Sequence, residues 1–346
     1  MKRICIVGGS IAGLTTALEL KRLDENLDVT VFEEHSNIGE PVTCAEGFLA
    51  LHGIEKPPDD CIDMSIEEVL FRFNFNGRPS RTYVVTPENG FWVIDRTKYE
   101  RTLAEKCASV GVDIKTGHKA SIEKIEPETD ILVNASGADP DSGFFALQYT
   151  VNDDFRYHMD KALFEFTPDL MGYYWILPKG PDLANVGVCR INGEPPSNDE
   201  MEKMLKEYMV SKIIHGDIVK KTSGYIGINV RKRLYDEGQK MVYVGDAAGF
   251  ASPLTNEGMS SAIFSAKAVS EAIVGDKLHT YKKTMMSELD MKHRGIAKDI
   301  WKNYGYETFS DSMAILCNML VGKPADMKVL RKMFRRKPVM WFRLLF

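Results

Sequence analysis

The stretch Ile4-Cys-Ile-Val-Gly-Gly-Ser-Ile-Ala-Gly13 decides the fold. An apolar strand runs into a glycine turn, and apolar residues at helical spacing follow from about Ile11 to Leu23. A second apolar run, Val29-Thr-Val-Phe-Glu33, completes a βαβ unit over residues 3–33. Glycines in such a turn let backbone amides approach a pyrophosphate at the positive end of the helix. The turn departs from G-x-G-x-x-G at Ser10, whose Cβ crowds the phosphate and whose hydroxyl can assist it. Gly8, Ser10, Ala12 and Gly13 are therefore cofactor-binding candidates. Glu33 ends the second strand, where a carboxylate accepts hydrogen bonds from adenosine ribose hydroxyls.

At 346 residues the chain exceeds what one core usually serves, and 44% hydrophobic residues suffice for two. A net charge of −5 argues against a general nucleic-acid binder, because phosphate neutralisation needs a cationic surplus. The six cysteines, Cys5, Cys44, Cys61, Cys107, Cys189 and Cys317, contain no C-x-x-C pair and no metal-ligand spacing. Neither a zinc site nor a disulfide framework is expected, and a reducing, cytoplasmic setting fits. The first apolar run is too short for a signal-peptide core, and no run of about 18 apolar residues exists to span a membrane. The seven histidines show no ligand or nucleophile–base spacing, and Ser10 sits in the wrong kind of turn for a hydrolase.

Further along, Val69-Leu-Phe-Arg-Phe-Asn-Phe75 and Arg81-Thr-Tyr-Val-Val85 alternate as strands around an Asn76-Gly77 hairpin turn. Helical spacing from Thr97 to Val110, then strands at Val112–Lys115 and Ile131–Val133, rejoin the first domain. A longer excursion over about 143–235 holds aromatic strands near Phe164 and Tyr173–Leu177, a strand at Ala184–Ile191 and a polar helix from Asn198 to Lys212. The expected architecture is α/β. A discontinuous nucleotide domain (1–68, 95–142, 236–279) is interrupted by a mostly antiparallel sheet domain (69–94, 143–235), and a helical C-terminal region (280–346) follows.

The second decisive stretch is Val242-Tyr-Val-Gly-Asp-Ala-Ala-Gly-Phe-Ala-Ser-Pro-Leu-Thr-Asn-Glu-Gly-Met259. A strand, a small-residue loop and Gly258 opening a helix supply a second cradle for a dinucleotide already held at the N-terminus. A nicotinamide dinucleotide has no use for it. A flavin does: Asp246 suits the ribityl hydroxyls, and the amides at Gly258 and Met259 suit the pyrimidine edge of the ring. FAD is the expected cofactor, with no metal.

Three other segments, with these two, carry a likeness. They are Gly39-Glu-Pro-Val-Thr-Cys-Ala-Glu-Gly47, Ile94-Asp-Arg96, and Gly172-Tyr-Tyr-Trp-Ile-Leu-Pro-Lys-Gly180 with Ala184-Asn-Val-Gly187. Over about 1–275 the chain resembles the geranylgeranyl reductase family, within the flavoproteins built like aromatic hydroxylases. The resemblance implies a Rossmann-type FAD-binding domain interrupted by a sheet that binds substrate. It adds Cys44, Ala45, Gly47, Arg96 and Ala120 to the expected cofactor-binding set. It also implies that Tyr173, Trp175 and Leu177, on one face of a strand, line a substrate wall. Leu177 stands where the family has Phe, and Asn134-Ala-Ser-Gly137 replaces its A-D-G form.

The reaction the resemblance implies is reduction of isolated C=C bonds in geranylgeranyl or polyprenyl chains, the substrate being a polyprenyl lipid or isoprenoid diphosphate. Cys44 and Tyr173 are the catalytic candidates for proton delivery. An external electron donor, NAD(P)H or ferredoxin, is required. A flavin hydroxylase or halogenase is the enzymatic alternative, and a non-catalytic prenyl-lipid binder the alternative of another class. The C-terminal run interleaves Lys328, Arg331, Lys332, Arg335, Arg336, Lys337 and Arg343 with Phe, Trp and Leu. That composition suits peripheral contact with an anionic inner membrane surface, each near-surface cation contributing about 1 kcal/mol; a packed helix with a solvated basic face explains it equally well.

Overall fold

The computed structural model describes residues 2–120, 125, 129–139, 143–170, 172–190, 197–252, 255–289, 300, 302–313, 331 and 335. The opening βαβ unit forms where its periodicity predicts. Strand β1 (Arg3–Val7) pairs in parallel with β2 (Asp28–Phe32), and α1 (Ile11–Leu23) joins them. Lys21 and Arg22 in the last turn of α1 complement the negative end of its dipole. Leu14, Ala17 and Leu20 are wholly buried against the sheet.

That sheet has six strands in the order β15 (Tyr235–Asp236), β16 (Met241–Tyr243), β9 (Ile131–Asn134), β1, β2 and β8 (Asp113–Lys115). All pairs are parallel except β15 with β16. Strand order reverses at β1, so a crevice opens at the C-terminal ends of β1 and its neighbours.

The second sheet has seven strands, β14 (Asp217–Gly227), β10 (Gly143–Asn152), β13 (Leu183–Arg190), β12 (Gly172–Pro178), β11 (Lys161–Thr167), β5 (Glu68–Phe75) and β6 (Arg78–Val85). Its pairs are antiparallel apart from β11 with β5. The Asn76-Gly77 turn joins β5 to β6, with Gly77 at φ 70°. A third sheet of β3 (Gly47–Leu49), β7 (Phe91–Ile94) and β4 (Ile62–Ile66) lies between. Strands of 3 and 5 residues such as β3 and β4 are too short to show a period in sequence.

Helix α2 (Arg96–Ser109) is capped by Asp95, whose side chain accepts from the Lys98 amide at 2.9 Å. Helix α3 (Asn198–Ser211) opens on a capping box of Ser197 and Glu200. The short α4 (Gly245–Ala248) and the long α5 (Met259–Val274) close the first domain, and α6 (Leu278–Glu288) follows. Gly245, at φ 57°, has no Cβ to strike the Cβ of Ala12, which would lie 2.9 Å away. The glycine loops from opposite ends of the chain thus meet.

Residues 302–313 form a helix, α7, over the far end of the second sheet. Phe309 meets Phe73 at 5.8 Å between ring centroids, and Phe73 stacks on Phe166 at 4.7 Å. Ion pairs Arg78–Glu307 and Arg81–Asp311 flank the contact. The basic run from Lys328 lies outside the described residues, apart from the exposed Arg331 and Arg335, and so does Pro253. Among the described residues no helix is long and apolar enough to cross a membrane. Phe73 is fully buried between the sheet and α7, so Phe73→Ala should cost about 3–5 kcal/mol in urea unfolding. A loss under about 1 kcal/mol would mean that α7 does not cover this wall.

Candidate active site

A cavity of about 740 Å³ opens where the two large sheets face each other. Its walls include Gly8, Ser10, Ala12, Glu33, Cys44, Ala45, Gly47, Arg96, Ala120, Asp246, Gly258 and Met259, with Tyr173, Trp175 and Leu177 from β12. Gly13 is not in the wall. A Cβ there would lie 1.9 Å from the Gly8 carbonyl oxygen, so this glycine serves the close packing of α1 on β1.

The nucleotide end is built from amides and two carboxylates. Gly8 holds φ 108°, and a Cβ on it would sit 2.3 Å from the Ala135 oxygen. The Gly9 amide donates to Glu33 Oε2 at 2.8 Å, while Glu33 Oε1 accepts from the His35 amide at 2.9 Å. Ser10 does not cap α1 with its side chain; its hydroxyl accepts from Arg96 Nη2 at 2.9 Å. Arg96 Nε donates to Glu100 Oε1 at 2.9 Å, and that same oxygen accepts from the Ile11 amide at 3.3 Å. Burial works against the Arg96 charge, but Glu100 and then Cys44 outweigh it and raise the guanidinium above its ordinary value.

Asp246 accepts from the Gly227 amide at 3.2 Å. Burial pushes its carboxyl up, opposed by that amide and by Arg96. A Cβ on Gly258 would lie 2.9 Å from Asp246 Oδ1, and Gly258 caps α5 without a side chain. Two helix N-termini, a half-buried cation and glycines that leave backbone exposed open into one cavity. These residues fit FAD.

The floor of the cavity is a single register row. Thr222, Gln148, Gly187, Trp175, Phe164 and Phe71 lie side by side across β14, β10, β13, β12, β11 and β5. All but Gly187 line the cavity. The row is polar at one end and aromatic at the other. A Cβ on Gly187 would lie 2.0 Å from the Trp175 ring, so the indole crosses this strand only because residue 187 is glycine.

Alternate residues of β12 then reach the loops of the first domain. Tyr173 donates its hydroxyl proton to the Thr255 carbonyl at 2.6 Å, and burial, then Cys189, hold that hydroxyl well above its ordinary pKa. Trp175 Nε1 donates to Gln148 Oε1 at 3.0 Å, and Gln148 Nε2 donates to the Cys44 carbonyl at 3.2 Å. Leu177 packs beside Gly47. Lys179 continues the alternation, pairing with Glu46 at 2.7 Å and Asp63 at 2.9 Å. Burial opposes its charge, and the two carboxylates more than restore it. The half-buried Cys44 accepts at Sγ from the Glu46 amide at 3.2 Å.

Residues 6–46 match the family model of NAD(P)-binding Rossmann-like domains. Digeranylgeranylglycerophospholipid reductase 2 of Methanococcoides burtonii is 24% identical, covering 96% of this chain and 92% of the relative. The digeranylgeranylglycerophospholipid reductase of Thermoplasma acidophilum is 25% identical over 84% of each. The chain is similar to these reductases along most of its length. Among solved structures, a geranylgeranyl bacteriochlorophyll reductase-like protein of Thermoplasma acidophilum shares the fold with TM-score 0.77 at 20% identity, over 99% of each chain. A flavin-dependent brominase shares it with TM-score 0.68 at 15% identity, over 98% of each.

Several residues of this site escape a reading of the sequence. Glu100 follows Arg96 by one helical turn and looks like a surface pair until α1 is placed over it. Gln148 lies in a strand with no motif. Lys179 was within reach, because the two-residue period that groups Tyr173, Trp175 and Leu177 extends to it.

In the cofactor-free protein, the raised Asp246 carboxyl contributes stability that is fully present below its ordinary 3.8 and is lost as pH rises through the folded value. Asp246→Asn removes this titration. The variant should therefore gain resistance to urea relative to the parent on going from about pH 4 to about pH 7, while FAD retention on dialysis falls about tenfold. A parallel pair of pH profiles would remove the burial argument.

Proposed function

We propose that this chain is an FAD-dependent reductase of isolated C=C bonds in the geranylgeranyl or polyprenyl chains of membrane lipids or isoprenoid precursors. The observation that supports it best is the floor of the cavity, where a dinucleotide cradle runs on into a row of aromatic side chains. When bound, FAD supplies hydride. The glycine-loop amides and Arg96 would take the diphosphate, Glu33 the ribose, Asp246 the ribityl hydroxyls and the Gly258–Met259 amides the ring edge. Ala45, Gly47 and Ala120 would complete the contact.

An isolated alkene has no carbonyl to polarise, so proton delivery and orientation in a dry pocket must accompany hydride. Cys44 is the better proton donor of the two candidates. The Tyr173 proton is committed to the Thr255 carbonyl and its acidity is suppressed by burial, which suits a residue that holds the loop in place. Trp175, Phe164, Phe71 and Leu177 would orient the chain and exclude water. The electron donor is NAD(P)H or ferredoxin, and the basic C-terminal run is proposed to dock the protein at the membrane surface.

Enzyme reduced chemically under anaerobic conditions should be reoxidised by a geranylgeranyl lipid, with a product heavier by two hydrogens per bond. Trp175→Ala should slow that step about tenfold or more while FAD remains bound. If the reduced enzyme ignores polyprenyl lipids but reacts with oxygen and hydroxylates or halogenates an aromatic compound, the hydroxylase reading replaces this one. A protein purified colourless, with a lipid bound, would be the carrier.

A further inference from the structure

We infer that Gln148 is a positioning residue, whose amide sets the substrate wall at Trp175 and the Cys44 loop against each other. An indole N–H is only a donor, and a backbone carbonyl is only an acceptor. The side chain between them must therefore accept on one side and donate on the other. A carboxamide does both, and the chemistry of its two neighbours fixes which end is oxygen. The observed bonds satisfy this at 3.0 Å to Trp175 and 3.2 Å to the Cys44 carbonyl.

Gln148 is 4% exposed, and its amide is spent on these two protein groups and not on solvent. It sits two strands from Trp175 in the register row, beyond Gly187, and the missing Cβ at that glycine is what lets the indole span the gap. A shift of the Trp175 ring when a chain arrives would thus be felt at Cys44 through one amide. A shorter Asn would not bridge both groups. Glu would accept from the indole, but when ionised it would face the Cys44 carbonyl with a second acceptor.

The inference rests on the reading that Cys44 and Trp175 serve one reaction, so its test needs no substrate. Cys5, Cys61, Cys107 and Cys189 are buried, whereas Cys44 is half-buried. In a Cys317→Ser background, flavin-loaded protein is treated with iodoacetamide and the labelling of each cysteine is followed by mass spectrometry. Gln148→Leu should label at Cys44 about tenfold faster, the scale of losing a hydrogen-bonded tether, with the buried cysteines and flavin content unchanged. Gln148→Glu should label near the parental rate at low pH, where its carboxyl carries a proton to donate, and outpace the parent as pH rises.

Cys44 rates within about twofold of the parent in both variants, at every pH, would overturn the inference. If Gln148→Leu labels at all cysteines together it has unfolded, and the pH dependence of Gln148→Glu decides. Should the parent reduce no polyprenyl lipid at all, the proposed function falls while the labelling result stands on its own.

Discussion

The ion pair between Glu46 and Lys179 fastens the molecule at the point where its two large sheets face the cavity. Glu46 is buried and holds φ 66°, a conformation that costs a non-glycine residue on the order of 1–3 kcal/mol. Its carboxylate is met by Lys179 at 2.7 Å, by Asn185 Nδ2 at 2.9 Å and by the Arg96 amide at 3.3 Å. Removing one partner would leave a buried charge short of compensation. The strained loop and the ion pair therefore sustain each other, and the Cys44–Ala45 backbone is placed as a result.

Polar ties suit this interface for a physical reason. Apolar contacts hold two surfaces by filling the space between them, and here that space has to stay open for ligands. Hydrogen bonds to backbone carbonyls fix a loop from its edge. Asn185 Nδ2 donates to the Ala45 carbonyl at 3.1 Å, Gln148 to that of Cys44, and Tyr173 to that of Thr255. Three bonds of known direction leave the cavity clear and still set where its roof lies.

Much of this was legible in the residues. The βαβ opening is local, and α1 begins at Ile11 and ends at Leu23 as its periodicity implies. The pairing of the N-terminal glycine turn with the Gly245–Asp246 loop could be read because both are strand–turn–helix signals. What could not be read depends on register between strands far apart in sequence. Nothing near Gln148 points to Trp175, and the row they share exists only once β13 is inserted between their strands. Gly187 carries no side chain to betray that an indole lies on it. Gly13 shows the converse, since a motif glycine can be required for packing and not for contact.

A flavin-dependent brominase shares this fold at 15% identity, so the fold does not choose the reaction. The choice has to be made by the side chains around the ring site. Here the floor changes character along one row, from Thr222 and Gln148 beside the Cys44 loop to Phe164 and Phe71, whose rings stack at 5.6 Å. Gln148, the polar member nearest Cys44, has the partners of its amide within the protein, at Trp175 and at the Cys44 carbonyl. The aromatic half has nothing to offer a polar substrate and much to offer a hydrocarbon chain, whose burial gains roughly 25 cal/mol per Å². A chain drawn onto that half would displace water from the aromatic floor formed by Trp175, Phe164 and Phe71. Binding and drying are then one event, which is the condition an unactivated double bond imposes.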